Sequence, residues 1–272
     1  MFFRKVRLTM PLRFDVFLLT LQPAYLCIMA LNNPFNNHEH KVYNRTFLLN
    51  VSAGVSFADK PLSADAQGLV SYLKDNFNVL FKPQDDKELT TITVASKDNG
   101  LSFSFSTGAA SVSIDAKSYK SFASTMLPDL GKIGTFLSIR KVDELKTLSL
   151  TKRNQWKINT ENALSVYKEA ILYTFKEKNI HDITSIEVPD GPWPVKLSRE
   201  ASLGLEDGSL KVIFSVEIVD NEHIVLTLDL VAEAKDVPAR DLLQYASTLN
   251  DVIYGAFHDM VSDDVIALME KQ

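Results

Sequence analysis

Between Leu210 and Met269 the chain alternates apolar and polar residues over two long runs and then changes period, and this change restricts its fold more than any other feature. Val212, Phe214, Val216 and Ile218 take one side of an extended strand, with Lys211, Ser215 and Glu217 on the other. Only Ile213 interrupts this two-residue period of a half-buried strand. Beyond the turn Asp220-Asn221-Glu222, the set Ile224, Leu226, Leu228, Leu230 and Ala232 repeats the pattern, which predicts an antiparallel hairpin. Leu242, Tyr245, Ala246, Leu249, Val252, Ile253, Ala256, Phe257 and Met260 then recur every three or four residues. They predict a helix of roughly 33 Å at about 1.5 Å per residue. Asp236 and Pro238 stand where a cap and a first-turn proline belong, and Ser262 offers a cap for a short final helix.

Upstream, residues 46–57 predict a strand and residues 63–78 a helix. Strands are predicted over 89–95, 101–106 and 110–115, then a helix over 117–127 ended by Pro128. The serine alternation in 101–106 reads as one solvated face of an antiparallel sheet. A second series begins with a strand over 135–148 and a helix over 160–178. It continues through the proline-rich loop 188–194 and a strand over 195–205 into the hairpin. Both series have the order strand, helix, three strands, helix. The expectation is an α+β protein of two β-α-β-β-β-α units with antiparallel sheets, residues 29–130 and 131–272. The long C-terminal helix is expected to pack across the second sheet.

Residues 1–28 carry Arg4, Lys5, Arg7 and Arg13 before an apolar run that Gln22 and Pro23 break. Three readings compete: a secretory signal, a membrane anchor, or upstream sequence with translation starting at Met29. A membrane partner follows only if this segment is translated. The single cysteine, Cys27, rules out an internal disulfide framework and any multi-cysteine zinc site. A net charge of −5, about −8 without residues 1–28, lacks the basic surplus of a general nucleic-acid binder.

The chain has no phosphate-binding glycine run and no Gly-x-Ser-x-Gly elbow. Its histidines His181, His223 and His258 are far apart, and His258 beside Asp259 suits a helix C-terminus electrostatically. His38-Glu39-His40 has the spacing of a metal pair on a strand but no third ligand in view, and reads as solvated. No catalytic residue, metal or cofactor is therefore assigned. The best polar cluster is Arg140, Lys141, Asp143 and Glu144. On a strand, Arg140 and Glu144 would share one face, where arginine could pair with an anionic ligand or a partner's carboxylate; an ion pair on a solvated face is the plainer reading. Lys152, Arg153, Trp156 and Lys157 form a small basic and aromatic patch, read as a strand end with a half-buried tryptophan. Trp193, in its proline-rich loop, is a second candidate anchor for a partner.

Three stretches resemble a sporadically distributed family of bacterial proteins, roughly 250 residues long and of uncharacterised function. In the stretch 138–145, Arg140 matches a leucine-arginine-tyrosine-isoleucine-asparagine-arginine-isoleucine motif, whereas Lys141, Asp143 and Glu144 depart from it. The run from Leu249 through Phe257 to Val261-Ser262-Asp263 is similar to the family's ending, and residues 45–57 are similar to its opening strand. The resemblance implies a bacterial protein from the mobile or defence-related part of a genome and assigns no catalytic residues. The functional expectation is a cytoplasmic, non-enzymatic binding protein whose partner is another protein. The alternative is a small-molecule binder with an apolar cavity between sheet and helix, in which Arg140 recognises an acidic group.

Overall fold

In the computed structural model, which describes residues 33–35, 38–43, 46–60, 66–77, 91–96, 100–176 and 196–271, eight strands form one sheet. They are β1 (Leu48–Ser56), β2 (Thr91–Ser96), β3 (Leu101–Ser106), β4 (Ala109–Asp115), β5 (Glu144–Asn159), β6 (Lys196–Leu205), β7 (Gly208–Asp220) and β8 (His223–Pro238). Their spatial order is β2-β3-β4-β1-β5-β8-β7-β6, and every pairing is antiparallel. The helices are α1 (Ala66–Phe77), α2 (Leu127–Ile139), α3 (Ala163–Thr174), α4 (Leu242–Met260) and α5 (Asp263–Glu270). The fold class is α+β, and Leu31–Gln272 is one compact unit. Among the described residues no helix is long and apolar enough to cross a membrane.

Alternation decides which face of the sheet is covered. Val51, Ala53 and Val55 of β1, Leu148 and Leu150 of β5, Leu226, Leu228 and Leu230 of β8, and Val212, Phe214 and Val216 of β7 are all buried. The intervening residues are more accessible, as the serines of β3 are between the buried Phe103 and Phe105. α4 lies against β8 and β5, α2 against β4 and α4, α3 against β7 and β8, and α1 against α2. Burying each large apolar side chain in such a layer contributes about 1.5–3 kcal/mol.

Between Lys117 and Glu144 the expected elements are replaced. Pro128 does not end a helix; it stands in the first turn of α2. A wide π turn over Phe122–Met126, with the Ser121 hydroxyl accepting from the Ser124 amide at 3.0 Å, leads directly into that helix. Proline is tolerated there because a first-turn amide has no intrahelical acceptor. The segment expected as a strand over 135–148 is helical up to Ile139. Its stop signal is a Schellman motif: Lys141 at φ +50° donates to the Ser138 carbonyl and Val142 donates to the Leu137 carbonyl, both at 3.0 Å. A lysine occupies the left-handed position usually held by glycine, so the sequence carries no ordinary mark of the helix end. The expected boundary at 130/131 therefore falls inside α2, and β5 begins only at Glu144.

The end of the hairpin also differs from expectation. Asp236 and Pro238 belong to β8, and a single 3-10 turn, Ala239–Asp241, precedes α4. Ser262 does cap α5, its hydroxyl accepting from the Val265 amide at 3.3 Å. Gly208, opposite Ala234, is required by close approach: a Cβ there would meet the Glu233 carbonyl oxygen at 2.0 Å. Gly208→Ala is expected to cost about 1–3 kcal/mol, the usual penalty of overpacking, measured as a lower urea midpoint at unchanged slope.

Candidate functional site

β5 carries the main departure from a continuous apolar inner face. Its inward positions read Leu148, Leu150, Lys152, Asn154, Trp156 and Ile158. Lys152 therefore sits in a cross-strand row of Leu101, Ile114, Val51, Lys152, Leu230 and Val212. Asn154 sits in the next row, between Leu48 and Leu228. Both polar residues line a cavity of about 520 Å³. Its walls are Ile253, Tyr254 and Phe257 of α4, Phe122 and its neighbours in the π turn, and the extended segment His40–Tyr43.

The Lys152 ammonium donates to Asn250 Oδ1 at 2.7 Å, and Asn250 itself is only 3% exposed. Burial pulls the Lys152 pKa down to about 8, with the Asp251 carboxylate opposing the shift. An ammonium has three donors, and Lys152 makes one side-chain hydrogen bond among the described residues. Asn154, 6% exposed, makes no side-chain hydrogen bond to any described residue. Its carboxamide borders the cavity, where solvent or a ligand can meet its hydrogen-bonding groups. The site is thus an apolar chamber whose floor offers a cation and an unused amide about 7 Å apart along one strand.

Residues 38–43 form a strap across α4. His40 stacks on Tyr254 with ring centroids 4.1 Å apart, and its Nε2 meets Asp251 Oδ1 at 3.0 Å. His38 stacks on His258 at 4.7 Å and pairs with Asp259 at 3.1 Å. Tyr43 Oη and His258 Nε2 share a 2.7 Å hydrogen bond, and the Tyr254 hydroxyl donates to the Glu39 carbonyl at 3.0 Å. The Lys41 amide donates to the Tyr254 hydroxyl at 2.9 Å, and the Lys41 side chain reaches Glu270 of α5 at 2.7 Å. Of the two histidines expected to be solvated, His38 is partly buried against α4, while His40, stacked on Tyr254, remains exposed. Among the described residues no group of three or more His, Cys, Asp or Glu side chains is placed to hold a metal.

The residues singled out from the sequence are dispersed. Arg140 is 0% exposed at the end of α2 and not on a strand; its guanidinium lies over the Phe136 ring and donates to the Lys60 carbonyl, while the Lys60 ammonium donates to the Arg140 carbonyl at 2.7 Å. It does not line the cavity. Lys141, Asp143 and Glu144 are exposed and line a separate, charged depression of about 430 Å³ with Asp59, Lys60 and Asp236. Trp156 is 3% exposed and packs against Phe47, Phe175 and Phe257, which removes it as a stacking platform for a partner. Of the rest of that patch, Arg153 pairs with Asp229 on the opposite sheet face at 2.6 Å and Lys157 is exposed. Trp193, His181, the 188–194 loop and residues 1–28 lie outside the described residues. Parity along β5 is the signal that would have found Lys152 and Asn154, once the strand is placed at 144–159.

No protein-family model matches the chain, and no curated protein matches it.

Two outcomes follow from these environments. Burial, together with the charges of His38, Lys176 and Lys41, depresses the His258 pKa to about 4, against the pull of Asp259. The folded ring then holds its proton less tightly than the unfolded one. The contribution is complete above the ordinary histidine pKa and is lost as pH falls from roughly 6.5 toward 4. The protection factors of the amides in residues 38–43, each referred to the intrinsic exchange rate at that pH, are expected to fall over that window in the native protein and to fall less in His258→Phe. Lys152→Met is expected to stabilise the empty protein by on the order of 1 kcal/mol in thermal or urea unfolding, the amine's desolvation cost less the bond lost by Asn250.

Proposed function

We propose that this chain is a non-enzymatic binding protein for a small molecule with an apolar body and an anionic head, held in the chamber between the sheet and α4. The observation that carries the reading is the pair Lys152 and Asn154, polar groups placed in otherwise apolar rows and turned into a cavity. A cavity of about 520 Å³ falls within the range of small-molecule sites, which combine apolar walls with a few placed polar groups. An acid is favoured over a neutral ligand because it complements the lysine and restores the lost hydration of its ammonium. The protein-partner reading draws no support from Trp156 or Arg140, both enclosed in the core.

The two halves of the sheet are read here as a duplicated β-α-β-β-β-α unit joined along β1 and β5. In its favour, the strand order β2-β3-β4-β1 is followed by β5-β8-β7-β6, so that each strand has a counterpart at the same distance from the central pair. Membership of the sporadically distributed bacterial family, its defence setting and a cytoplasmic location belong to the same proposal and rest on the sequence motifs alone.

Decanoate and decanol, titrated calorimetrically, separate the contribution of the head group from that of the chamber. Decanoate is expected to bind the native protein at least about tenfold more tightly than decanol, a difference of about 1.4 kcal/mol, and Lys152→Met is expected to erase the gap. Equal affinity for the two probes, or undiminished decanoate binding by Lys152→Met, would sink the reading.

A further inference from the structure

Lys152 differs from the carboxylate-paired lysines of the protein in the chemistry of its partner, and from Lys60, which donates to the Arg140 backbone carbonyl, in lining the chamber. Lys41, Lys132, Lys176, Lys196 and Lys211 each meet a carboxylate within 2.6–3.1 Å. Lys152 instead donates to a neutral carboxamide oxygen, that of Asn250, while the nearby Asp251 carboxylate is engaged by His40. A lysine placed to neutralise charge would be given the carboxylate. One bonded only to a neutral amide, in an apolar row beside a cavity, can shed its proton at small cost and present a lone pair.

We propose that Lys152 forms a reversible Schiff base with apolar aldehydes or ketones that enter the chamber. The proposal rests on the chamber being a ligand site, as argued above, and adds a covalent bond to it. The neutral amine's lone pair adds to the carbonyl carbon; a C–N bond forms, the C=O π bond breaks, and the oxygen takes up the proton that nitrogen releases. The resulting carbinolamine takes a proton on its hydroxyl from solvent or an acid at the site and loses water as the nitrogen lone pair forms the C=N bond, and the nitrogen then gives back a proton to leave the imine. Amine and carbonyl thus give imine and water with no change of oxidation level, and hydrolysis returns both. Asn154 is placed to assist: its carboxamide has no hydrogen bond to a described residue, lines the same cavity and can donate to the oxygen as charge develops there. The depressed pKa of Lys152 supports the same conclusion, since an amine near 8 is neutral in roughly a tenth of molecules at pH 7, against well under a thousandth at the ordinary lysine value.

Sodium cyanoborohydride converts the imine into a stable secondary amine, so the test is reductive trapping with decanal at pH 7.5, read by intact mass and peptide mapping. The expected result is about one decyl group per chain, on Lys152, at a rate on the order of tenfold or more above any surface lysine. Excess decanoate, which competes for the chamber but forms no imine, is expected to slow the labelling. Lys152→Arg, with its fold checked by circular dichroism, is expected to lose the rapid adduct. Labelling spread over surface lysines, or unchanged in Lys152→Arg, overturns the proposal. Tight decanoate binding without an adduct overturns the covalent step and leaves the binding reading standing. An adduct on Lys152 without decanoate binding supports the covalent step and removes the acid preference. Failure of both probes removes both.

Discussion

The pairing of β1 with β5 is the constraint on which the remainder of the structure depends. β1 lies between β4 and β5, and β5 between β1 and β8, so this one ladder makes a single surface of what would otherwise be two four-stranded sheets. Once it forms, the alternation of all the central strands must agree across the joint. A slip of one residue would turn Leu148 and Leu150 outward and bring Ser149 and Thr151 onto the buried face. The helices then have one common apolar surface to cover, and α4, lying on β8 and β5, closes the middle of it.

That same agreement is what puts Lys152 and Asn154 where they are. Having accepted the register that buries Leu150 and Trp156, β5 cannot avoid directing the two residues between them at the helix layer. A tight helix–sheet contact there would leave an ammonium and an amide without water. The chamber relieves this conflict, with Asn250 meeting the lysine from the α4 side. The π turn widens the chain path at the chamber wall, and the histidine-bearing strap closes over α4 through stacking and short hydrogen bonds. Local rules are broken together at this one place: a charge and a carboxamide on an apolar face, and a helix entered through a π turn. Such concentrations mark function more often than packing error.

Much of the fold was legible because it is written in local periods. The strand pattern of 46–57, the serine-phenylalanine alternation of 101–106, the long hairpin and the stripe from Leu242 to Met260 each need only neighbouring residues to be understood. The segment from Lys117 to Glu144 was not legible, since both of its signals are ambiguous in one dimension. Pro128 ends a helix in most contexts and begins one here, and Lys141 does the work of a glycine. The misplaced strand then hid the site: with β5 starting at 135, Arg140 looked outward and available, and the parity of Lys152 could not be read.

The sequence by itself therefore determined the α+β class, the element types outside the segment from Lys117 to Glu144 and the exclusion of a cysteine-based framework, since side-chain period and composition act over a few residues. Tertiary structure alone decided the chamber. His40 meets Asn250 across 210 residues, and Lys152 reaches the same side chain across 98. No local pattern encodes those approaches; they follow from how eight strands must align to bury one face.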